Sequence, residues 1–274
     1  MGALPNLVII GAMKCGTTSL HEYLDVHPDI QMSNPKEINF FSGTRSSEPL
    51  EWYKQFFDGS MPVRGESSQN YSKAHHPMFT DAPKKMAEII PNCKIIYIVR
   101  DPIERYLSHM VESQYGNPRE LRIWNSKNDH FIKTGLYHWQ LSQFLEFFSL
   151  SSVLVVDLHR LTRHRLQVMK EIFDFLGAKP IEDESVFDFV ANASKSKAAP
   201  FSVRRNVVYR AAKQVMPQVT DAVIMSKPVR QMLFPALGRK QLSEADRAHL
   251  VDVFSPDVEK LRQLTNQEFA AWSI

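Results

Sequence analysis

Cysteine is nearly absent from this chain. Cys15 and Cys93 are the only two in 274 residues, which leaves no disulfide framework and no cysteine spacing for a metal. That scarcity fits a reducing compartment, and a cytoplasmic location is expected. An excess of charge of one sign is missing too. The 33 Lys and Arg stand against 30 Asp and Glu, a net charge of +3 at pH 7. Such a balance gives no reason to expect a nucleic-acid partner, while leaving room for a local basic pocket that binds an anion. No apolar run is long enough to span a membrane; the one near the N-terminus is interrupted by Lys14. No basic region precedes that run and no small-residue cleavage site follows it, so a secretion signal is not expected. Internal repeats and low-complexity tracts are also missing. The composition, 43% hydrophobic and 23% charged, suits a globular chain able to build a full core, as one large domain or two small ones.

What is present is an alternation of short apolar runs and amphipathic segments. Strands are expected at about 7–11, Ile30–Ser33, Val63–Ser67, Lys94–Val99 and Val153–Asp157. Helices are expected from Thr17 to about Val26, over Pro49–Phe57 and Pro77–Ile90, and from Pro102 to about Tyr115. Two more are expected at about Thr134–Phe148 and Thr162–Leu176. Pro28 and Pro91 stop the helices before them, Pro102 suits a first helical turn, and Gly177 suits a C-terminal cap. Residues 116–133 read as polar and irregular, and a long segment from Ser243 as broken near Pro256. Strands alternating with helices predict an α/β chain with a central parallel β-sheet flanked by helices. No linker forces a division, so residues 1–274 read as a single domain with a mostly helical part at about 205–274.

The stretch from Leu7 to Leu20 carries the first chemistry. An apolar strand ends in a turn bounded by Gly11 and Gly16 that holds Lys14 and Cys15; Thr17, Thr18 and Ser19 then open a helix. Backbone N–H groups and the positive end of a helix dipole would converge there on a phosphate-like group. A nucleoside-triphosphate loop places Lys directly after the second Gly, whereas Thr17 stands there and Lys14 lies inside the loop. A nucleotide kinase or NTPase is the enzyme alternative, and Thr17 speaks against it. A module that binds a nucleotide without catalysis is the alternative outside enzymes. The second signal is Ile98-Val-Arg100-Asp-Pro102, with Ser108 two helical turns further on. Arg100 offers a planar fork to a phosphate and Ser108 a hydroxyl. Two anion sites at the C-terminal ends of strands would flank one crevice, where open α/β sheets bind ligands.

On these residues the chain resembles the sulfotransferases that use 3′-phosphoadenosine 5′-phosphosulfate (PAPS). The likeness is closest to the heparan-sulfate sulfotransferases and their bacterial relatives. It extends in the family's order to Glu37-Ile-Asn-Phe-Phe41, Glu51-Trp52-Tyr53, Glu66-Ser-Ser-Gln-Asn-Tyr71, Gly135-Leu-Tyr137 and Asn192-Ala-Ser-Lys195, across roughly residues 5–200. Beyond about residue 205 it fades to a helical tail ending in a Trp, here Trp272.

The resemblance implies a P-loop-like sulfotransferase fold and sulfuryl transfer to an acceptor hydroxyl or amine. It implies a 5′-phosphosulfate loop at Lys14, Cys15, Gly16, Thr17, Thr18 and Ser19, and a 3′-phosphate site at Arg100 and Ser108. Lys195 would belong to a loop closing over the cofactor, although Ser196 stands where the family has Gly. Glu37 becomes the general base, Phe40 and Phe41 its shield, and Lys14 the cation on the leaving phosphate. Sulfate carries less charge than a phosphoryl group, so no metal is required; Asp101, superficially like a magnesium ligand, fits the second motif better. Glu66, His75, His76 and Tyr137 are candidates for the acceptor side. Ser67 replaces the Lys that follows this Glu in the heparan-type motif, which weakens the case for a heparan-like polysaccharide. The acceptor is a carbohydrate, a lipid or a small molecule, and loops 42–48, 68–76 and 116–133 carry no readable code for it. A bacterial cytoplasmic protein is expected ahead of a truncated Golgi-lumenal domain. Cys15 reads as a packed thiol rather than a nucleophile.

Overall fold

The computed structural model describes residues 2–113, 129–188, 207–216 and 242–274, with the isolated residues 223, 226 and 229. Five apolar stretches become strands: β1 (Leu7–Gly11), β2 (Ile30–Met32), β3 (Val63–Ser67), β4 (Lys94–Val99) and β5 (Val153–Asp157). They form one sheet in the order β2-β3-β1-β4-β5, and every neighbouring pair runs parallel. β1 and β4 are central, so their side chains are covered on both faces: Leu7 to Ile10 and Ile95 to Val99 are all fully buried.

Parallel strands send all their C-terminal ends to one edge. The loops after Gly11, Met32, Ser67 and Val99 therefore emerge side by side, with the loop after β1 between those after β3 and β4. This placement brings together residues that are far apart in the chain.

The helices are α1 (Thr17–Asp25), α2 (Leu50–Lys54), α3 (Ala82–Ile89), α4 (Pro102–Ser113) and α5 (Asp129–Lys133). They continue with α6 (Tyr137–Leu145), α7 (Leu158–Arg163), α8 (Arg165–Leu176), α9 (Val207–Val215) and α10 (Glu244–Thr265). Gly177, at φ 75°, closes α8 in the left-handed conformation.

Several boundaries differ from the sequence expectation. Residues 77–81 form turns, in which the Met78 amide donates to His76 Nδ1 at 2.9 Å, so α3 starts only at Ala82. The helix expected from Thr162 is two helices. The Asp157 carboxylate accepts from the His159 amide at 3.0 Å and starts α7 four residues earlier, and His164 at φ −133° separates it from α8. α6 is shorter at both ends than Thr134–Phe148, and Asp129–Lys133, expected to be irregular, is helical.

Pro256 does not break α10. Pro removes one helical hydrogen bond, but Leu250, Phe254, Val258 and Leu261 are buried on both sides of it, so packing holds the two halves in line. α10 also fastens α6. The Asp257 carboxylate accepts from the amides of His138 and Trp139, both at 2.9 Å, and so caps the α6 N-terminus. After α10 the chain bonds to the C-terminal edge of the sheet. Trp272 Nε1 donates to Asp157 at 3.2 Å and the Ser273 amide to Asp101 at 2.6 Å. Among the described residues no helix is long and apolar enough to cross a membrane.

Candidate active site

The loop between β1 and α1 is built around two left-handed residues, Lys14 at φ 69° and Gly16 at φ 88°. Glycine is required at the second: a Cβ there would lie 2.7 Å from Leu158 Cδ1, besides the strained backbone. A non-glycine residue held at positive φ, as Lys14 is, marks a position the surroundings over-determine. Gly16 precedes α1 without any side-chain cap, an arrangement that suits an anion at a helix N-terminus. Thr17 is buried; Thr18 lines a cleft of about 460 Å³; Ser19 is half-buried. Cys15 turns the other way. It is fully buried, its amide donates to Ala12 O at 3.2 Å and its thiol lies 3.5 Å from the Tyr137 hydroxyl. Burial pushes that thiol up, so its contribution to the loop is packing.

Arg100 leaves the tip of β4 and crosses to this loop. Its guanidinium donates to Lys14 O at 3.4 Å and pairs with Glu104 one turn along α4. Asp101 caps α4, accepting from the amides of Ile103 and Glu104 at 2.8 and 3.0 Å. That assigns Asp101 a structural task at the start of α4. Ser108 is half-buried on α4. From the last turn of the same helix Glu112 reaches Lys14 Nζ at 3.3 Å.

Glu37 stands in the loop after β2, also left-handed at φ 63° with Asn39 at φ 55°. Its amide donates to Ser67 O at 3.0 Å, Lys36 pairs with its carboxylate at 3.0 Å, and Glu37 and Thr18 line the same cleft. The loop is fastened to the end of β3. The Asn39 amide donates to Ser68 Oγ at 3.0 Å, and the Phe41 amide to the Tyr71 hydroxyl at 3.2 Å. Both anchors converge on Glu66, which accepts from Ser68 Oγ at 2.7 Å, Tyr71 at 2.9 Å and Tyr53 at 2.6 Å. Glu66 is fully buried, and burial raises its carboxyl against the effect of the three hydroxyls. The expectation that Glu66 faces the acceptor is therefore corrected. It is the internal anchor of the Glu37 loop, since a buried carboxylate must be satisfied by donors. Phe40 and Phe41 are buried and pack on Tyr53, Phe40 stacked at 4.2 Å and Phe41 edge-on at 5.3 Å. Ser67 bonds to His21 Nδ1 at 2.8 Å and ties α1 to β3. Tyr137 is likewise fully buried, edge-on to Tyr97 at 6.0 Å and tilted against Trp272 at 5.8 Å. It forms core rather than an acceptor wall.

His75 belongs to a group of imidazoles that no local motif announces. Gln140 fixes its tautomer. The Gln140 oxygen accepts from the Ala74 amide at 2.8 Å, so its Nε2 donates to Lys133 O at 2.8 Å and to His75 Nδ1 at 3.1 Å. His75 Nε2–H then donates to His130 Nδ1 at 2.8 Å. His109 Nδ1 accepts from Arg105 at 3.2 Å, and a guanidinium can only donate, so this imidazole too is unprotonated at Nδ1. Burial, then the neighbouring cations, holds all of them down: His75 and His130 to about 3, His109 further still. His76 is buried against Phe79 at 4.4 Å and held to about 4, again by burial and then Lys73. Among the described residues no three His, Cys, Asp or Glu side chains are grouped to hold a metal ion.

Arg105, fully buried, donates to Phe131 O as well as to His109, and among the described residues its Nε has no hydrogen-bond partner. Sequence reasoning missed Arg105, His109, Glu112, His130 and Lys73. A signal existed for the first two. Arg105 and His109 sit four apart on the side of α4 that also carries buried Pro102 and Tyr106, where polar residues are out of place. Lys195 lies outside the described residues.

The sequence profile of the family described as "Sulfotransferase domain" matches residues 4–254. Among curated proteins, the bifunctional heparan sulfate N-deacetylase/N-sulfotransferase 4 of Mus musculus is 30% identical over 202 residues, 65% of this chain and 23% of that protein. The bifunctional heparan sulfate N-deacetylase/N-sulfotransferase 1 of Caenorhabditis elegans is 30% identical over 174 residues, 57% of this chain and 20% of that protein. The chain thus spans about a fifth of the length of these curated relatives. Among solved structures, a sulfotransferase from Alicyclobacillus acidocaldarius superposes with a TM-score of 0.66 at 24% identity, covering 99% of this chain and 100% of that one. The fold is therefore the P-loop-like α/β fold expected from the sequence.

Proposed function

The chain belongs to the sulfotransferase domain family and is an enzyme of sulfuryl transfer; on that premise we propose PAPS as its donor, Glu37 as its general base and Lys14 as its leaving-group cation. The observation that carries this reading is the cleft lined by both Thr18, from the anion loop, and Glu37. The residues suit such a donor. Lys14, Gly16 and the uncapped start of α1 would hold the 5′ end, and Arg100 with Ser108 the 3′-phosphate. Lys195 would close over it. PAPS supplies an activated sulfuryl group, whose S–O bond to phosphate breaks as the bond to the acceptor oxygen or nitrogen forms.

Glu37 takes the proton that the acceptor loses, a task typically worth about 10²–10⁴-fold. Lys14 offers its ammonium to the departing phosphate oxygen, and one such preorganised group is worth roughly 10²–10³-fold. Its ammonium pairs with Glu112 at 3.3 Å. The reaction as proposed uses no metal. The acceptor is a hydroxyl or amine on a carbohydrate, a lipid or a small molecule; relatives described as N-sulfotransferases support including amines. We further propose that residues 1–274 act as one domain, supported by the bonds of Trp272 and Ser273 to the sheet edge. The two free, buried cysteines support a cytoplasmic location.

The test is transfer of labelled sulfate from PAPS to panels of carbohydrate, lipid and small-molecule acceptors, with adenosine 3′,5′-bisphosphate binding measured in parallel. Transfer to one panel supports the reading. Absence of both transfer and nucleotide binding overturns it.

A further inference from the structure

Lys73 follows β3 in the loop that faces Glu37, and its surroundings are unusual for a lysine. It is only 6% exposed, yet among the described residues no carboxylate lies within ion-pair distance of its ammonium. A buried charge left this way needs another reason to be there. Its hydrogen bond goes to Asn70 Oδ1 at 2.7 Å. Because an ammonium only donates, that bond sets the direction of everything beyond it. Asn70 must turn its Nδ2 outward, where it donates to Asn39 Oδ1 at 3.1 Å, and Asn39 Nδ2 donates to Glu37 O at 2.8 Å. Three side chains from two loops thus run from the ammonium to the backbone of Glu37, a residue held at φ 63°.

The charges around Lys73 alternate. Glu37, paired with Lys36, faces it from the loop after β2, and Glu112, paired with Lys14, faces it from α4. Arg105 and His109 also face it from α4, His75 and His76 from its own loop, and His130 from α5. The ammonium feels the charge of both carboxylates, Glu37 and the Glu112 that pairs with Lys14, and its neutralisation would remove that attraction from each.

We propose that Lys73 is a positioning residue for sulfuryl transfer: as an ammonium it holds the Glu37 loop through Asn70 and Asn39, and losing its proton shuts the reaction down on the alkaline side. This rests on Glu37 being the base. Burial lowers the Lys73 ammonium to about 8 against the pull of Glu37 and Glu112, which puts that loss within a measurable range.

The experiment is a set of pH–rate profiles for wild type, K73R and K73M, with the donor KM and adenosine 3′,5′-bisphosphate affinity measured on the same preparations. In wild type, kcat is expected to fall above pH 8 or so. K73R keeps a charge that does not titrate there, so it should retain most of kcat and lose the alkaline fall. K73M should lose roughly 10–100-fold in kcat, the scale of a misplaced catalytic group, with nucleotide affinity and donor KM little changed. A wild-type profile flat through pH 9, a K73R profile that still falls near pH 8, or K73M with wild-type kcat each overturns the proposal. If wild type transfers sulfate and only the Lys73 results fail, the function stands without this role. If wild type transfers none, both fall.

Discussion

The buried imidazoles beside the candidate site are expected to make the protein sensitive to mild acid, and His109 allows the size of the effect to be worked out. Its Nδ1 accepts from the Arg105 guanidinium at 3.2 Å, so protonation would both break that bond and set two cations together. Burial and Arg105 hold it far below its ordinary value of 6.5. The sign follows from linkage. Below pH 6.5 the unfolded chain binds a proton at this position that the folded chain does not, so stability drops as pH drops. Between 6.5 and 5 lie about 1.5 pH units, and at about 1.4 kcal/mol per unit the loss is about 2 kcal/mol from His109 alone. The half-buried His75 and His130 add smaller amounts, reduced by solvent screening. His109→Gln cannot protonate, and its amide oxygen can still accept from Arg105. Urea unfolding of wild type and H109Q at pH 7 and pH 5 isolates the effect from the titration of all carboxylates. The stability gap between the two proteins should shift by about 2 kcal/mol in favour of H109Q on going to pH 5. A gap identical at both pH values would refute the assignment of a buried neutral imidazole.

Other perturbations give distinct results. Glu66→Ala strands the hydroxyls of Tyr53, Tyr71 and Ser68 and should destabilise by about 3 kcal/mol or more, read as a lower urea midpoint; an unchanged midpoint would show that Glu66 is not an anchor. Gly16→Ala forces a side chain into φ 88° against Leu158. It should cost about 1–2 kcal/mol from the backbone alone and weaken adenosine 3′,5′-bisphosphate binding in calorimetry. Arg100→Ala should weaken that same binding roughly 10–100-fold, the worth of a hydrogen bond to a charged group, while leaving the urea midpoint close to wild type because its pairing with exposed Glu104 contributes little.

The sheet was legible because each strand is a short apolar run bounded by turn residues, and all five fall where those runs lie. The anion loop was legible because Gly11, Lys14 and Gly16 are contiguous with the strand and helix they join. What escaped depends on convergence. Lys73, Asn70 and Asn39 meet across two loops 31 residues apart, and His75 meets His130 across 55; no local pattern encodes either. Glu66 sits in a motif that carries the family likeness, but only the fold shows Tyr53 and Tyr71 closing over it. Pro256 misled for the opposite reason. Its local cost is real, and the burial of Phe254 and Val258 on either side outweighs it.

The most direct test of the proposed chemistry is single-turnover transfer of labelled sulfate by Glu37→Gln, with nucleotide affinity measured on the same protein. The expected result is a rate about 10²–10⁴-fold below wild type with adenosine 3′,5′-bisphosphate bound as tightly as before. Wild-type turnover in this variant would contradict Glu37 as the base.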